Sequence, residues 1–284
     1  MAHSLFTTGG FDLNAYLERV TFDRRPAQPG ASALRDLALA HTRTIPFENL
    51  NALLRRPVAL DIASIQDKLV RGGRGGWCFE HNLLFGTALT AMGYTVTGLS
   101  ARVVWNVPAG VVRGRSHMVL LVTLRDERYI VDVGFGGSTP TAPLRLQAGI
   151  EQSTPHEPFR LTDVGGSFLL EVRLDDTWKG LYTFDLQPQV LADYEMPNWY
   201  LCNHPESHFL RGVVAARVEH DRRYALRNTE LAVYFPRDTA QRRTLSSGAE
   251  IRQVLEEVFH IRVPREPEVD ELFARLAAAS PAIT

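Results

Sequence analysis

Residues 71–82 read Arg71-Gly72-Gly73-Arg74-Gly75-Gly76-Trp77-Cys78-Phe79-Glu80-His81-Asn82. Four glycines precede one of the two cysteines of the chain, and an apolar run with helical spacing follows that cysteine. Because glycine tolerates backbone conformations that other residues avoid, the glycines predict a shaped loop that a ligand can approach closely. A cysteine in the first turn of a helix lies near unpaired N–H groups and the positive end of the helix dipole, which favour the thiolate. The stretch therefore predicts that Cys78 is a nucleophile.

The composition is that of an ordinary globular protein. The chain has 284 residues, of which 45% are hydrophobic and 22% are charged, so we expect two or three domains or subdomains. A net charge of −1 disfavours nucleic acid and anionic membranes as partners. No apolar run approaches the roughly 20 residues that span a bilayer, and the N-terminus has no signal-peptide pattern. Two widely separated cysteines do not form a disulfide framework, so we expect a cytoplasmic location.

The pattern of apolar residues changes twice along the chain. Residues 1–92 have helical periodicity, with Asp12 and Asp61 as candidate N-caps and a further apolar stripe after Ser32. From residue 93, β-branched and apolar runs follow one another without intervening helices, which predicts an antiparallel sheet or barrel. The last third mixes strands and helices, and Ser247 begins a capping-box pattern there. We therefore predict an α+β protein.

Two polar residues interrupt apolar strands in the middle part. His117 begins one strand and Asp132 lies within another, and either group is costly to bury without a partner. The short link at residues 125–127 suits a hairpin between these strands. A hairpin brings His117 and Asp132 toward one another at the end away from the turn.

A histidine paired with a carboxylate would stabilise the thiolate of Cys78. A helix terminus supplies about 0.3–2 kcal/mol toward thiolate formation, whereas lowering a cysteine pKa from about 8.5 to about 5 requires roughly 5 kcal/mol. A cationic partner is therefore needed, and a histidine held by a carboxylate is the usual one. We predict a catalytic triad of Cys78, His117 and Asp132. Each residue alone also has a structural interpretation, as a buried thiol, a core histidine and a cap.

Other candidate residues carry weaker signals. His81 lies three residues after Cys78, and we expect it to be exposed. Cys202 is the rival nucleophile, but no glycine-rich loop precedes it, so we interpret it as structural. His204 and His208 have the spacing of a ligand pair without an evident third ligand, so we predict no metal site. From the residues alone, the segment Gly134-Phe135-Gly136-Gly137 favours a plain turn, because it lacks the spacing of a dinucleotide site.

Several segments, in chain order, resemble the motifs of one known family. Residues 74–80 are similar to the active-site motif of the arylamine N-acetyltransferases, and residues 41–50, which contain Ile45 to Leu50, resemble the N-terminal signature of that family. His117 and residues 132–137 resemble its histidine and aspartate segments. Residues that fit its later pattern are Tyr194, Asn198, Tyr200, Ser207 and Phe209. The resemblance is weak beyond about residue 210. Trp77 stands where tyrosine is commoner in the family, and His81 is a second departure.

The resemblance implies an architecture of three domains with a cysteine-protease-like catalytic core. They are a helical bundle over residues 1–92 that carries the nucleophile, an antiparallel β-barrel over 93–205 that carries the histidine and aspartate, and an α/β lid over 206–284. It also implies an ion pair between Arg74 and Glu48 that tethers the catalytic loop.

The same resemblance implies an acyltransferase of xenobiotic metabolism. Acetyl-CoA would be the co-substrate, with no permanently bound cofactor, and the acetyl group would pass through an acetyl-cysteine on Cys78 to arylamines and arylhydrazines by a ping-pong mechanism. Residues near the CoA would be Gly134, Phe135 and Gly136. Residues of the acceptor pocket would be Phe47, Val104, Phe135 and Phe209.

Two other functions fit the residues. The same triad could serve a thioester hydrolase, or an amide synthase of the same superfamily with another acyl donor. The chain could also be a binding module without catalysis. In the leading interpretation the partners are small molecules, and neither nucleic acid nor a membrane is among them. The oligomeric state is left open, a homodimer included.

Overall fold

The N-terminal part is helical. A computed structural model describes residues 5–23, 28–108, 110–236 and 239–279. Its first elements are α1 (Leu13–Arg19), α2 (Ala31–Thr44), β1 (Phe47–Glu48), α3 (Leu50–Leu53), α4 (Ile62–Gln66), a π-helical turn (Asp67–Arg71) and α5 (Cys78–Ala91). The helix that begins at Cys78 is buried along most of its length, with Leu84, Phe85 and Ala88 fully inside the core. The predicted helical part is confirmed.

Side-chain caps begin two of these helices as predicted. Asp12 accepts a hydrogen bond from the N–H of Ala15 at 3.0 Å, and Asp61 accepts one from Ser64 at 2.9 Å. Helix α2 begins without a side-chain cap. Gly30 is the N-cap of that helix, so Ser32 lies within its first turn.

Eight strands form the middle part. They are β2 (Thr95–Val103), β3 (His117–Leu124), β4 (Glu127–Val131), β5 (Leu144–Arg145), β6 (Glu151–Gln152), β7 (Phe159–Asp163), β8 (Phe168–Leu174) and β9 (Thr177–Phe184). All neighbours are antiparallel in the order β5-β4-β3-β2-β9-β8-β7-β6. The side-chain amide of Gln152 joins the two edges, because it accepts from the N–H of Arg145 at 2.7 Å and donates to its carbonyl at 3.0 Å. The sheet is thus a nearly closed barrel, as predicted.

The apolar run of β3 is buried on both faces. Met118, Leu120 and Val122 pack into the core of the helical part, and Val119 and Leu121 pack into the interior of the barrel. Because alternate residues of a strand point to opposite faces, both faces of a strand between two cores must be apolar. The strand therefore lies between the helical part and the barrel, and His117 is its first residue.

The last third contains a second antiparallel sheet and three helices. Its elements are α6 (Leu191–Asn203), a 3-10 turn (His208–Leu210), β10 (Val214–Val218), β11 (Arg223–Arg227), β12 (Glu230–Tyr234), β13 (Gln241–Thr244), α7 (Gly248–Glu257) and α8 (Pro267–Ala279). Strand β1 completes the sheet, with Phe47 opposite Ala216 and Glu48 opposite Ala215. The α+β class is confirmed, whereas the three domain boundaries and the likeness to cysteine proteases stay predictions.

Helix lengths bear on the question of a membrane. Among the residues that the structure describes, none of the helices combines the length and the apolar character needed to cross a bilayer.

A buried ion pair joins the barrel to the second sheet. The guanidinium of Arg223 on β11 donates three hydrogen bonds of 2.6 to 3.0 Å to the carboxylate of Glu157, just before β7. The Arg223 side chain is 5% exposed and that of Glu157 is 22% exposed. Burial alone would raise the pKa of Glu157, but Arg223 outweighs this effect and lowers the pKa below its usual range.

This ion pair predicts a stability difference. Glu157→Gln should destabilise the fold by about 1–3 kcal/mol, because it leaves a buried guanidinium without its counter-charge. The matched control is Glu151→Gln, which breaks the exposed pair with Arg173 and should cost at most about 0.5 kcal/mol. Thermal unfolding of both variants measures the difference, and equal midpoints would contradict the prediction.

Candidate active site

The glycine-rich loop is held against β1. The N–H of Glu48 donates to the carbonyl of Gly76 at 2.9 Å, and the N–H of Gly76 donates to the carbonyl of Pro46 at 3.3 Å. A Cβ atom on Gly75 would overlap the Pro46 carbonyl oxygen, so no larger residue fits there. The loop therefore needs a glycine at this position to reach the strand that positions it.

The predicted ion pair between Arg74 and Glu48 is present in the structure. Arg74 Nε lies 2.9 Å from Glu48 Oε1, and the N–H of Leu50 donates to the other oxygen at 2.6 Å. Burial raises the pKa of Glu48, but Arg74 and Lys68 outweigh burial and lower it. A buried carboxylate with these partners stays ionised, so the pair ties the loop to β1 and α3.

Cys78 is the first residue of α5 and is 6% exposed. Glu80, two residues on, accepts from the N–H of Trp77 at 3.1 Å and from Lys68 Nζ at 2.7 Å, which fixes the start of the helix. The sulfur lies 3.7 Å from the carbonyl oxygen of Ser116, the residue before β3. The helix start thus delivers the thiol to the end of the strand that carries His117.

His117 and Asp132 lie together at the end of the β3–β4 hairpin away from its turn. His117 Nε2 is 2.7 Å from Asp132 Oδ2, and both side chains are buried. Burial lowers the pKa of His117, but Asp132, with a further contribution from Cys78, raises it to about 10. Since Nε2 faces the carboxylate, Nδ1 is the nitrogen left for the cysteine. The structure brings the three residues together, and their catalytic roles stay a prediction.

Asn82 also orders the triad, and sequence reasoning missed it. Its amide nitrogen donates to Asp132 Oδ1 at 3.1 Å and to the carbonyl of Met118 at 2.9 Å. Its oxygen accepts from the N–H of Val133 at 3.2 Å. The signal for it was a polar residue four positions after Cys78 in an apolar helix, which places both on one face. Asn82 thus joins α5 to β3 and to the segment that follows β4.

The segment after Asp132 folds back over the start of α5. The N–H of Gly134 donates to Asp132 Oδ1 at 2.9 Å, and a Cβ on Gly134 would lie 2.9 Å from Cys78 Cα. Burial raises the pKa of Asp132, but His117, with smaller contributions from the hydrogen bonds of Gly134 and Asn82, outweighs burial and lowers it. Gly136 has φ +92° and packs beside Phe47. The loop therefore lies against Cys78, and its role in CoA binding stays a prediction.

Aromatic rings surround the triad on two sides. Phe135 lies edge-on to His117 at 5.2 Å between ring centroids, and Tyr182, which sequence reasoning did not select, lies 4.8 Å from the same ring. On the other side, Phe209 is 6.0 Å from Phe47 and 5.3 Å from Trp77. These rings form an apolar wall beside the cysteine, which suits an aromatic ligand.

Val104 lies on the barrel side of this region. It follows β2 and is half-buried, and its N–H donates to the carbonyl of Leu181 at 2.9 Å. This position places it one residue from Tyr182 on the neighbouring strand. Its predicted contact with substrate stays a prediction, as do those of Phe47, Phe135 and Phe209.

The remaining candidates have different positions. The prediction that His81 is exposed is wrong, because its side chain is 1% exposed and its Nε2 lies 3.1 Å from the carbonyl oxygen of Pro46. Burial raises the pKa of Cys202 on α6, which disfavours its thiolate. His204 and His208 belong to no group of three metal-ligating side chains in the described ranges of the chain.

Comparison with known proteins gives one consistent family. A profile described as N-acetyltransferase matches residues 31–268. The chain is 42% identical to an arylamine N-acetyltransferase of Mycobacterium tuberculosis, over 94% of this chain and 98% of the relative. It is 38% identical to that of Escherichia coli, over 94% and 95%. Its fold is similar to that of Mycobacterium marinum arylamine N-acetyltransferase in complex with CoA, with a TM-score of 0.89 and 38% identity over 93% of this chain and 99% of that chain.

The carboxylate that holds His117 predicts the reactivity of the thiol. In Asp132→Asn, no carboxylate opposes the effect of burial on the pKa of His117, so the imidazole becomes neutral at pH 7. A neutral imidazole no longer favours the thiolate, so alkylation of Cys78 by iodoacetamide at pH 6.5 should slow by about 10-fold to 100-fold. Because the pKa of His117 is about 10, the wild-type imidazole keeps its proton from pH 6.5 to 8.5, so the wild-type protein should react faster than the variant across this range.

Mass spectrometry in a Cys202→Ser background measures this rate for one thiol. The exposed turn residue Asp126 supplies the matched control, since Asp126→Asn should leave the rate within about twofold. A normal rate in Asp132→Asn would contradict the role of the carboxylate.

The close approach of Gly134 predicts a steric effect. In Gly134→Ala, the new Cβ would lie 2.9 Å from both Cys78 Cα and His81 Cβ, so the loop must shift, at a cost of about 1–3 kcal/mol. Gly137→Ala is the control, because its Cβ would meet nothing within 4 Å. Gly134→Ala should lower the unfolding temperature and change the alkylation rate of Cys78, whereas Gly137→Ala should leave both at their wild-type values.

Proposed function

The chain belongs to the arylamine N-acetyltransferase family of acyltransferases, and on that premise we propose that it transfers the acetyl group of acetyl-CoA to arylamines and arylhydrazines through an acetyl-cysteine on Cys78. The observation that carries the proposal is the contact of the Cys78 sulfur with the end of β3, where His117 and Asp132 lie 2.7 Å apart. The CoA in the similar Mycobacterium marinum structure supports the choice of acyl donor.

The first half-reaction acetylates the enzyme. The Cys78 thiolate attacks the thioester carbonyl carbon, and a new carbon–sulfur bond forms through a tetrahedral intermediate. The bond to the CoA sulfur then breaks, and the departing thiolate takes the proton of the His117 imidazolium. Asp132 holds the imidazole ring in the orientation that both steps need. CoA leaves as a thiol, and His117 is left neutral.

The second half-reaction passes the acetyl group to the amine. The neutral nitrogen of an arylamine attacks the acetyl carbon, and the bond to Cys78 breaks. His117 accepts the proton that the nitrogen loses, so the thiolate and the imidazolium are restored together. Aromatic amines are weakly basic and therefore largely neutral at pH 7, so the nitrogen can attack without first losing a proton.

The residues around the triad have proposed binding roles. Phe47, Val104, Phe135 and Phe209 would line the pocket for the aromatic acceptor, and residues 134–136 would contact CoA. The close approach of this loop to Cys78 supports that role, because the thioester must reach the sulfur. A cytoplasmic location and a homodimer stay predictions.

One experiment tests the whole proposal. Incubation with acetyl-CoA should add one acetyl mass to Cys78, and Cys78→Ala should acquire none. Cys202→Ser is the matched control and should still be acetylated. With a simple arylamine as acceptor, double-reciprocal plots should be parallel.

Three outcomes would contradict the proposal. An adduct on Cys202 would displace Cys78 as nucleophile, and intersecting plots would indicate a ternary complex. CoA release that does not depend on an amine would favour a hydrolase with the same triad.

A further inference from the structure

A chain of three hydrogen bonds lies behind the nucleophile. The hydroxyl of Tyr16 on α1 is 2.9 Å from His41 Nδ1 on α2, and His41 Nε2 is 2.9 Å from His81 Nδ1 on α5. His81 Nε2 is 3.1 Å from the carbonyl oxygen of Pro46. All three side chains are at most 1% exposed. This buried chain, Tyr16-His41-His81, has no part in the proposed reaction.

The carbonyl at one end fixes every proton in the chain. A carbonyl oxygen only accepts, so His81 Nε2 carries a proton and donates it to Pro46. Nδ1 of a neutral His81 must then accept from His41 Nε2, and His41 Nδ1 accepts in turn from the Tyr16 hydroxyl. Burial keeps both rings neutral, since it lowers the pKa of His81 to about 4 and that of His41 well below its usual value.

These hydrogen bonds exclude an acid–base role for His81. His81 lies in the first turn of the helix that begins at Cys78, but one of its ring nitrogens faces His41 and the other faces Pro46. Neither nitrogen is free to exchange a proton with Cys78 or with a substrate. Any effect of His81 on the reaction must therefore act through the groups that it holds in place.

The groups held by His81 form a wall of the site. The Pro46 carbonyl that it binds also accepts the N–H of Gly76 in the catalytic loop. The next residue, Phe47, lies with its ring parallel to the imidazole, at an interplanar angle of 5° and 6.5 Å between centroids. Phe47 in turn contacts Phe209. The chain thus anchors the backbone on which the aromatic wall is built, and burial makes its loss costly.

We propose that the Tyr16-His41-His81 chain positions Phe47 and thereby sets the preference of the enzyme for aromatic over non-aromatic acyl acceptors. His81 is a positioning residue in this proposal, and the inference rests on the proposed function. A wall that shifts by about 1 Å binds a ring poorly, whereas a small acceptor needs little contact with it.

The test compares two acceptors on one acetyl-enzyme. Phenylhydrazine and methylhydrazine share the attacking group and differ in the ring, so the ratio of their kcat/KM values cancels any loss in the triad or in the reaction with acetyl-CoA. In His81→Leu, which can make neither hydrogen bond, this ratio should fall by about tenfold.

A matched variant separates hydrogen bonding from packing. His81→Gln offers an amide that can donate to Pro46 and accept from His41, so the ratio should stay within about twofold of the wild-type value. Tyr16→Phe removes only the far donor and should lower the ratio in the same direction by a smaller factor. This milder variant keeps the test decisive if His81→Leu does not fold.

The outcomes distinguish the two proposals. If the wild-type protein acquires no acetyl group on Cys78, the proposed function fails. If the wild-type protein is active and both His81→Leu and Tyr16→Phe keep its ratio of kcat/KM values, the positioning role is overturned while the proposed function stands. The same conclusion follows if the ratio falls as far in His81→Gln as in His81→Leu.

Discussion

An imidazole ring and a carboxylate lie 2.7 Å apart between two apolar cores, at His117 and Asp132. A charge in such a place is costly unless its partners satisfy it, so each group requires the other and both require further donors. Asn82 and the N–H of Gly134 supply those donors to Asp132. The start of α5, the hairpin register and the glycine loop after Asp132 are therefore parts of one arrangement.

Several contacts between chain segments keep this arrangement in place. Strand β1 pairs with both the glycine-rich loop before Cys78 and the last sheet, so Phe47 and Glu48 connect the first and last thirds of the chain. Glu157 and Arg223 connect the barrel to the same sheet. Because the site lies where these parts meet, its geometry depends on their packing as well as on the segments that carry the triad.

Three buried histidines near Cys78 differ in their pKa because their hydrogen-bond partners differ. Burial lowers the pKa of His117, His41 and His81 alike. Only His117 has a carboxylate at hydrogen-bond distance, and its pKa rises to about 10. His81 has a carbonyl and another neutral ring as partners, and its pKa falls to about 4. The site thus contains one histidine suited to hold a proton and two suited to hold fixed hydrogen bonds.

The sequence by itself determined the features that depend on local residue patterns. Apolar periodicity predicted the helical part and the β part, the caps at Asp12 and Asp61 predicted helix starts, and the short turn predicted the hairpin that joins His117 to Asp132. These features depend on neighbours in the chain, so spacing and residue type are enough to find them. The family motifs selected the glycine-rich loop and Cys78 for the same reason.

Only the tertiary structure decided which distant groups meet. Asn82, Tyr182 and the partners of His81 were not selected from the sequence, and His81 was expected to be exposed, because a helix position does not state what packs against it. The pairing of β1 with β10 likewise joins segments more than 160 residues apart. Local preference fixes each element, whereas the burial of polar groups between elements fixes their partners, and that depends on the packing of the whole chain.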